Sequence, residues 1–228
     1  MDNKLHNELR KEFQLERMIL FSDAVFAIAI TLLVIEIKIP ELEKEHISDE
    51  ALLEGLGHLI PKFIGFIISF VMIAIYWNAH HRMFGYVTSY SRKLVVLNLF
   101  FLFFIALMPF STGFYSEYAG RELVQYQLKI PMTFYVLNLS TAGFINYFMW
   151  VYITNPKNKV AEPAIDPEVA MMGKMRSFIV PMVFLLMLAV AYLSNVLFAV
   201  YVPMFIPILM RIMSRRIRKK FKAAENTI

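Results

Sequence analysis

The sequence lacks cysteine and has few charged residues for its length. Cysteine is absent, and Asp, Glu, Lys and Arg together make up 18% of the 228 residues. The absence of cysteine excludes disulfide bridges, thiolate metal ligands and a cysteine nucleophile. With 58% hydrophobic residues, a soluble protein of this size would lack the polar residues needed to cover its surface. We therefore expect an integral membrane protein.

Long apolar blocks predict the membrane spans. A helix needs about 20 mostly apolar residues to cross the hydrocarbon layer. The last apolar block, residues 178–212, is too long for one crossing, so we expect two helices that meet near Ser194 and Asn195. The chain is then one all-α membrane domain over residues 1–228. Its six predicted spans are 18–37, 59–77, 94–111, 130–153, 178–193 and 196–212.

Basic residues are distributed unevenly between the two sides of the membrane. With six spans, 18 of the 23 Lys and Arg residues lie on the side that also carries both ends of the chain. Cytoplasmic loops attract Lys and Arg, so we expect both termini in the cytoplasm. The basic segment 211–222 then serves as an anchor at anionic lipid, and we expect no nucleic-acid partner.

Two carboxylates lie inside the first predicted span. Asp23 is near its cytoplasmic end and Glu36 is near its outer end. Ionisable residues inside a membrane are candidate functional residues and need polar partners. For Asp23 the candidates are Arg17, a turn and a half earlier, and the polar end of the second span, residues 77–82. We expect a structural polar cluster there, and a proton relay through Asp23 and a histidine is the alternative.

A narrow stripe of apolar residues and one hydroxyl runs along the first span. At 100° per residue, Ile28, Thr31 and Ile35 fall within about 60° of one another. Leu32 lies at the edge of this stripe, and Asp23 points to a different face. Periodicity alone leaves two interpretations, since such a stripe either packs against helices or lipid, or lines a pore.

The remaining motifs do not favour an enzyme or a metal site. His80 and His81 are adjacent and so point about 100° apart on a helix, and no other histidine stands four residues from either. The chain has no H-E-x-x-H or G-x-S-x-G motif. A secondary transporter that uses Asp23, Glu36 and a histidine is an alternative, but transporter sites usually lie on helices broken by Gly or Pro, and the first span has neither before Pro40.

Two segments resemble a known family of channels. Residues 17–23 read Arg-Met-Ile-Leu-Phe-Ser-Asp and, with residues 24–33, resemble the R-x-x-x-F-S-D signature in the first helix of the lysosomal potassium channel family, in its prokaryotic branch. Residues 76–84, at the end of the second span, are also similar to that family. The resemblance implies a leak-type potassium channel in a bacterial inner membrane, with K⁺ as the permeant ion and no cofactor.

The same resemblance implies an assembly and a set of site residues. This chain would join three identical subunits in a homotetramer, with the first helices around a central pore and no T-V-G-Y-G filter. The constriction would be formed by Ile28, Leu32 and Ile35, with Thr31 as a neighbouring hydroxyl ring. A polar packing network would lie near the cytoplasmic end, and the matching residues are Arg17, Phe21, Ser22, Asp23, Trp77, Asn78 and His81.

Overall fold

The computed structural model describes residues 11–40, 47–119 and 125–225. Within these residues the regular secondary structure is helical, which confirms the predicted all-α class. The α-helices are α1 (Lys11–Leu32), α2 (Asp49–His58), α3 (Ile60–Phe84), α4 (Arg92–Ala106), α5 (Met108–Glu117), α6 (Ile130–Ile153), α7 (Pro167–Leu193), α8 (Val196–Ala199) and α9 (Ile206–Glu225).

Six helical segments in the described part of the chain are long and apolar enough to cross a membrane. This number confirms the predicted six-helix membrane fold. The segments are Glu12–Glu36, Ile60–Phe84, Arg92–Glu117, Ile130–Ile153, Pro167–Leu193 and Val196–Ala224.

The third segment is interrupted where the sequence prediction had one continuous span. Helix α4 ends at Ala106, Leu107 links the two parts, and α5 starts at Met108. Pro109 lies in the first turn of α5, where its missing N–H group would have had no partner within the helix. The proline therefore starts a new helix instead of extending α4.

The fifth segment begins earlier than the predicted span at residue 178. Asp166 caps the N-terminus of α7, where its Oδ1 accepts hydrogen bonds from the backbone N–H groups of Glu168 and Val169 at 2.7 and 3.1 Å. The first turns of α7 pack against the end of α9, where Ile217 is buried among residues that include Met172 and Met175. The start of α7 and the end of α9 therefore form a helical pair that extends beyond the predicted spans.

Helix α6 lies at the centre of the bundle and packs against α4, α5 and α7. Helix α3 is tied to it by two hydrogen-bonded pairs. The Tyr76 hydroxyl donates to the Leu139 carbonyl at 2.7 Å, and the Ser69 and Tyr135 hydroxyls lie 3.2 Å apart. Helix α1 lies at the side of this bundle and packs against α3, α4 and α5. Within the described residues, one face of α1 has no helix against it.

Candidate functional site

Helix α1 has one buried face. Its buried residues recur at three- and four-residue spacing, as expected for one side of a helix. They are Leu15, Met18, Ser22, Phe26, Ala29 and, directly after the helix, Leu33. This face packs against α3 and α4, so the rotation of α1 about its own axis is fixed by contacts within the chain.

The stripe identified from the sequence lies on the opposite face of α1. Ile28, Leu32 and Ile35 are 57%, 41% and 67% exposed, and Thr31 is exposed as well. Asp23 is half-buried and lies at the border between the two faces. No described residue covers the stripe, which leaves contact with lipid or with another subunit.

Thr31 uses its hydroxyl hydrogen within the helix. Its Oγ1 lies 3.0 Å from the carbonyl oxygen of Ala27 and 2.9 Å from that of Ile28, to which it donates. A hydroxyl has one hydrogen and two lone pairs. Because the hydrogen points to the backbone, the lone pairs of Oγ1 stay available to a cation beside the stripe.

A chain of buried hydrogen bonds joins α1, α3 and α4. The Ser22 hydroxyl donates to the Met18 carbonyl, the Asn98 amide donates to Ser22 Oγ, and His80 Nε2 lies beside Asn98 Oδ1, each at 2.8 Å. Because the amide group of Asn98 is the donor to Ser22, its Oδ1 is the acceptor for the N–H group of His80. Ser22, His80 and Asn98 are at most 1% exposed.

Aromatic rings surround the His80 end of this chain. The imidazole stacks on Phe84 at 4.2 Å and on Phe101 at 5.7 Å between ring centroids, and Phe26 lies 5.6 Å away in a tilted arrangement. The Nε2 atom of His80 needs no water molecule as a partner, because Asn98 Oδ1 already accepts its hydrogen bond. These contacts hold three helices together at one end of the bundle.

Asp23 forms a second, more exposed cluster. Its Oδ1 accepts a hydrogen bond from Trp77 Nε1 at 3.0 Å, and the Trp77 indole stacks on the His81 ring at 5.6 Å. Arg17 lies over the ring of Phe13, 5.8 Å from its centroid, and within the described residues it forms no ion pair with Asp23. The sequence suggested Arg17 or the polar end of α3 as the partner of Asp23. The structure shows that the partner is Trp77 of α3.

The expected polar network is thus divided into two clusters with partly different members. Ser22 belongs to the buried chain, and Asp23, Trp77 and His81 form the exposed cluster, whereas Phe21 and Asn78 are exposed. His80 and Asn98 complete the buried chain, although the network implied by the resemblance included neither. The available signal was Asn98 itself, because an amide within an apolar run needs a partner inside the membrane.

Glu36 lies far from both clusters. It ends the 3₁₀ turn Leu33–Glu36 that follows α1, and its carboxylate lies so close to Gly113 of α5 that a Cβ atom there would collide with it. At 1.5 Å per residue, Asp23 and Glu36 are roughly 20 Å apart along the helix. The two carboxylates therefore do not form one site.

Metal-ligating residues do not cluster in the described ranges. No group of three or more His, Cys, Asp or Glu residues that are able to hold a metal ion occurs within residues 11–40, 47–119 and 125–225. The polar clusters around Ser22 and Asp23, in the middle of α1, are built from hydroxyl, amide, indole and imidazole groups with one carboxylate. Their geometry is that of interhelical packing.

The fold and these contacts define a six-helix integral membrane protein. Its first helix is fixed on one face, and on the other face an apolar stripe has no partner among residues 11–40, 47–119 and 125–225. A family model described as the endosomal/lysosomal potassium channel TMEM175 matches residues 17–109. A relative from Streptomyces collinus, named a potassium channel, is 31% identical over 156 residues, which cover 68% of this chain and 72% of that protein. The chain belongs to the TMEM175 family.

Two further comparisons extend this result. The crystal structure of a lysosomal potassium-selective channel TMEM175 homolog from Chamaesiphon minutus superposes with a TM-score of 0.70 at 26% identity, covering 88% of this chain and 98% of that one. A chicken relative, named the endosomal/lysosomal proton channel TMEM175, is 35% identical over 145 residues, or 59% of this chain and 27% of that longer protein. Since the relatives are named as channels, the prediction that the chain is not an enzyme is confirmed.

Proposed function

We propose that four copies of this chain form a leak-type potassium channel in the inner membrane of a bacterium, with both termini in the cytoplasm and each chain contributing one six-helix domain. The potassium channel name of the Streptomyces relative supports the permeant ion. The observation that carries the proposal is the exposed stripe of Ile28, Thr31, Leu32 and Ile35, which lies opposite the packed face of the first helix. No cofactor is required.

In the proposed tetramer the stripes of four first helices surround the pore. Rings of Ile28, Leu32 and Ile35 side chains offer no oxygen atoms to replace the hydration shell of an ion, so a narrow ring acts as a dehydration barrier and as a gate. Potassium loses its hydration shell at a lower cost than sodium. The pore therefore selects for potassium without a carbonyl filter, and the selectivity is moderate.

Thr31 lowers the barrier for a partly dehydrated ion. Its hydroxyl hydrogen is bonded to the carbonyl groups of Ala27 and Ile28, so four Thr31 residues present a ring of oxygen lone pairs one turn beyond Ile28. A cation that has passed one apolar ring meets these oxygens before the next. The hydroxyl ring is therefore a resting position between two dehydration barriers.

The two polar clusters set the orientation of the stripe. The buried chain through Ser22 and Asn98 holds the back of α1 against α4, and the bond between Asp23 and Trp77 holds its flank against α3. With these contacts in place, α1 presents Ile28 and Ile35 away from its own subunit. We assign the clusters a positioning role, since neither contacts the proposed ion path.

The test compares two substitutions of equal chemistry. Ile28→Asn introduces amide groups into the proposed constriction, and Ile67→Asn makes the same change on α3 at a residue with the same exposed fraction, 57%. Purified variants are placed in liposomes, and potassium and sodium efflux are measured under equal gradients. A change of about 1 kcal/mol in the relative barriers, the size of one hydrogen bond, alters the flux ratio roughly fivefold.

We expect Ile28→Asn to lower the ratio of potassium to sodium flux and Ile67→Asn to leave it unchanged. The reason is that amide oxygens in the pore compensate sodium for its larger dehydration cost. Equal ratios in both variants and the unmodified protein would show that the stripe faces lipid. A response to Ile67→Asn alone would place the ion path at α3 instead.

A proton-conducting or proton-coupled function is the second candidate, favoured by the proton channel name of the chicken relative. Asp23 lies in the middle of α1 and Glu36 lies in the turn that follows it, so the two carboxylates are far apart. Helix α1 runs unbroken from Lys11 to Leu32, unlike the interrupted helices of many secondary transporters. A pH-sensitive dye inside the same liposomes separates the candidates. Potassium efflux that continues without proton exchange supports the channel, and strict exchange supports coupling.

A further inference from the structure

Two adjoining cavities open between α3, α7 and α9 at the end of α3 that carries Arg82. Their volumes are about 270 and 410 Å³. Arg82, Arg176 and Ser177 line both cavities. The proposed topology places this end at the cytoplasmic surface of the membrane, and no residue of the stripe on α1 lines either cavity.

The walls of these cavities carry an excess of positive charge. Arg82 and Arg176 line both cavities, Arg218 lines the first and Arg211 the second, whereas the carboxylate in their walls is Glu168. Glu168 lies 4.0 Å from Arg218. Within the described residues neither Arg176 nor Arg211 has a carboxylate partner.

Mutual repulsion makes this arrangement costly without an anion. The charges of Arg82 and Arg218 both act on Arg176, which is half-buried. Guanidinium groups recognise phosphate and carboxylate through paired N–H donors. Arginines from three separate helices therefore converge on a space that suits an anionic group.

Part of the wall of the larger cavity is apolar. It includes the apolar side chains of Ile75, Val180 and Met210. It also includes Asn146, which is 1% exposed and whose Oδ1 has no hydrogen-bond partner within the described residues. A hydroxyl group of a bound molecule would satisfy this oxygen. The cavity thus combines a basic rim, an apolar wall and one buried acceptor.

We propose that this double cavity binds the phosphate of an anionic phospholipid. The phosphate lies among Arg82, Arg176 and Arg211, and the acyl chains follow the apolar wall into the membrane. Basic pockets between membrane helices on the cytoplasmic side are suited to such head groups. The apolar wall favours a lipid over a soluble phosphate, and Asn146 favours a head group with hydroxyls, such as phosphatidylglycerol. This site is separate from the proposed ion path.

The test measures thermal unfolding of the full-length protein in a neutral detergent. The additions are dioleoyl phosphatidylglycerol, dioleoyl phosphatidylcholine and inorganic phosphate, each in a separate titration. A ligand that binds the folded protein raises its unfolding temperature. We expect phosphatidylglycerol to raise the unfolding temperature by several degrees, while phosphatidylcholine and inorganic phosphate leave it unchanged. Native mass spectrometry of the same samples counts the bound lipid.

Matched variants separate the cavity from the basic surface of α9. The double substitution Arg176→Gln and Arg211→Gln removes two charges from the cavity, and Arg215→Gln with Arg216→Gln removes two charges from exposed positions on α9 outside it. We expect the phosphatidylglycerol shift and the bound-lipid count to be lost in the first pair and kept in the second. Without lipid, the first pair should be at least as stable as the unmodified protein, because it relieves repulsion.

Three results would overturn the proposal. An equal loss in both pairs would show that the lipid binds the basic surface of α9 without using the cavity. An equal shift with phosphatidylcholine would show that the arginines do not recognise the head group. A shift of the same size with inorganic phosphate, abolished by the cavity pair, would identify a soluble phosphate compound as the ligand.

Discussion

Replacement of Asn98 by alanine tests whether the buried hydrogen-bond chain holds α1 in place. The side chain of Asn98 donates to Ser22 Oγ and accepts from His80 Nε2, both at 2.8 Å. All three side chains are at most 1% exposed, so water does not replace the lost partners. The substitution removes both interhelical bonds at once.

The expected loss follows from the two bonds and the group left unpaired. Hydrogen bonds between membrane helices contribute about 0.6 kcal/mol each on average. A buried donor without a partner costs about 1–3 kcal/mol, and the N–H group of His80 would be left among the rings of Phe26, Phe84 and Phe101. The free energy of unfolding should therefore fall by about 2–4 kcal/mol in Asn98→Ala.

Reversible unfolding in mixed micelles, followed by circular dichroism, measures this loss. Asn78→Ala is the matched control, because Asn78 lies on α3 near the same end of the bundle but is exposed. Exposed substitutions usually change stability by about 0.5 kcal/mol or less. If Asn98→Ala and Asn78→Ala unfold with the same free energy, the buried chain does not hold the helices together and the positioning role is wrong.

Two further predictions concern the pore and the core. Thr31→Val keeps the shape of the side chain but removes its oxygen, so potassium flux in liposomes should fall. Thr31→Ser keeps the hydroxyl group and should retain the flux. Equal flux in both variants would contradict the proposed hydroxyl ring. Gly143→Val should lower the unfolding free energy by about 1–3 kcal/mol, because a Cβ atom at Gly143 would lie 3.0 Å from both the ring of Pro181 on α7 and the Tyr76 hydroxyl on α3. An unchanged unfolding temperature would show that these neighbours can move away from α6.

The sequence predicted the membrane fold and the stripe because both depend on local patterns. Long apolar blocks reflect the thickness of the bilayer, and the stripe of Ile28, Thr31 and Ile35 follows from the helical repeat. The burial of His80 and the exposure of His81 also follow from their spacing along α3. His80 lies four residues from Tyr76 and from Phe84, on the buried face of α3, and His81 lies four residues from the exposed Trp77.

The partners of these residues were not predictable in the same way. Asn98 bonds to Ser22, 76 positions earlier, and to His80, 18 positions earlier, and only the packing of three helices brings them together. The basic double cavity also depends on how distant helices pack together. Arg82, Arg176 and Arg211 come from three distant segments, and the charge distribution of the sequence assigned them only to the same side of the membrane.

The direction in which the exposed stripe on α1 points is fixed by the contacts on the other faces of that helix. Lipid is as apolar as isoleucine, so an exposed apolar face inside a membrane experiences no force that orients it. The hydrogen bonds of Ser22 and Asp23 supply that orientation, because a rotation of α1 by one residue, about 100°, would break both. The position of Ile28 relative to the rest of the chain therefore depends on Ser22 and Asp23, together with the packing of the buried face of α1.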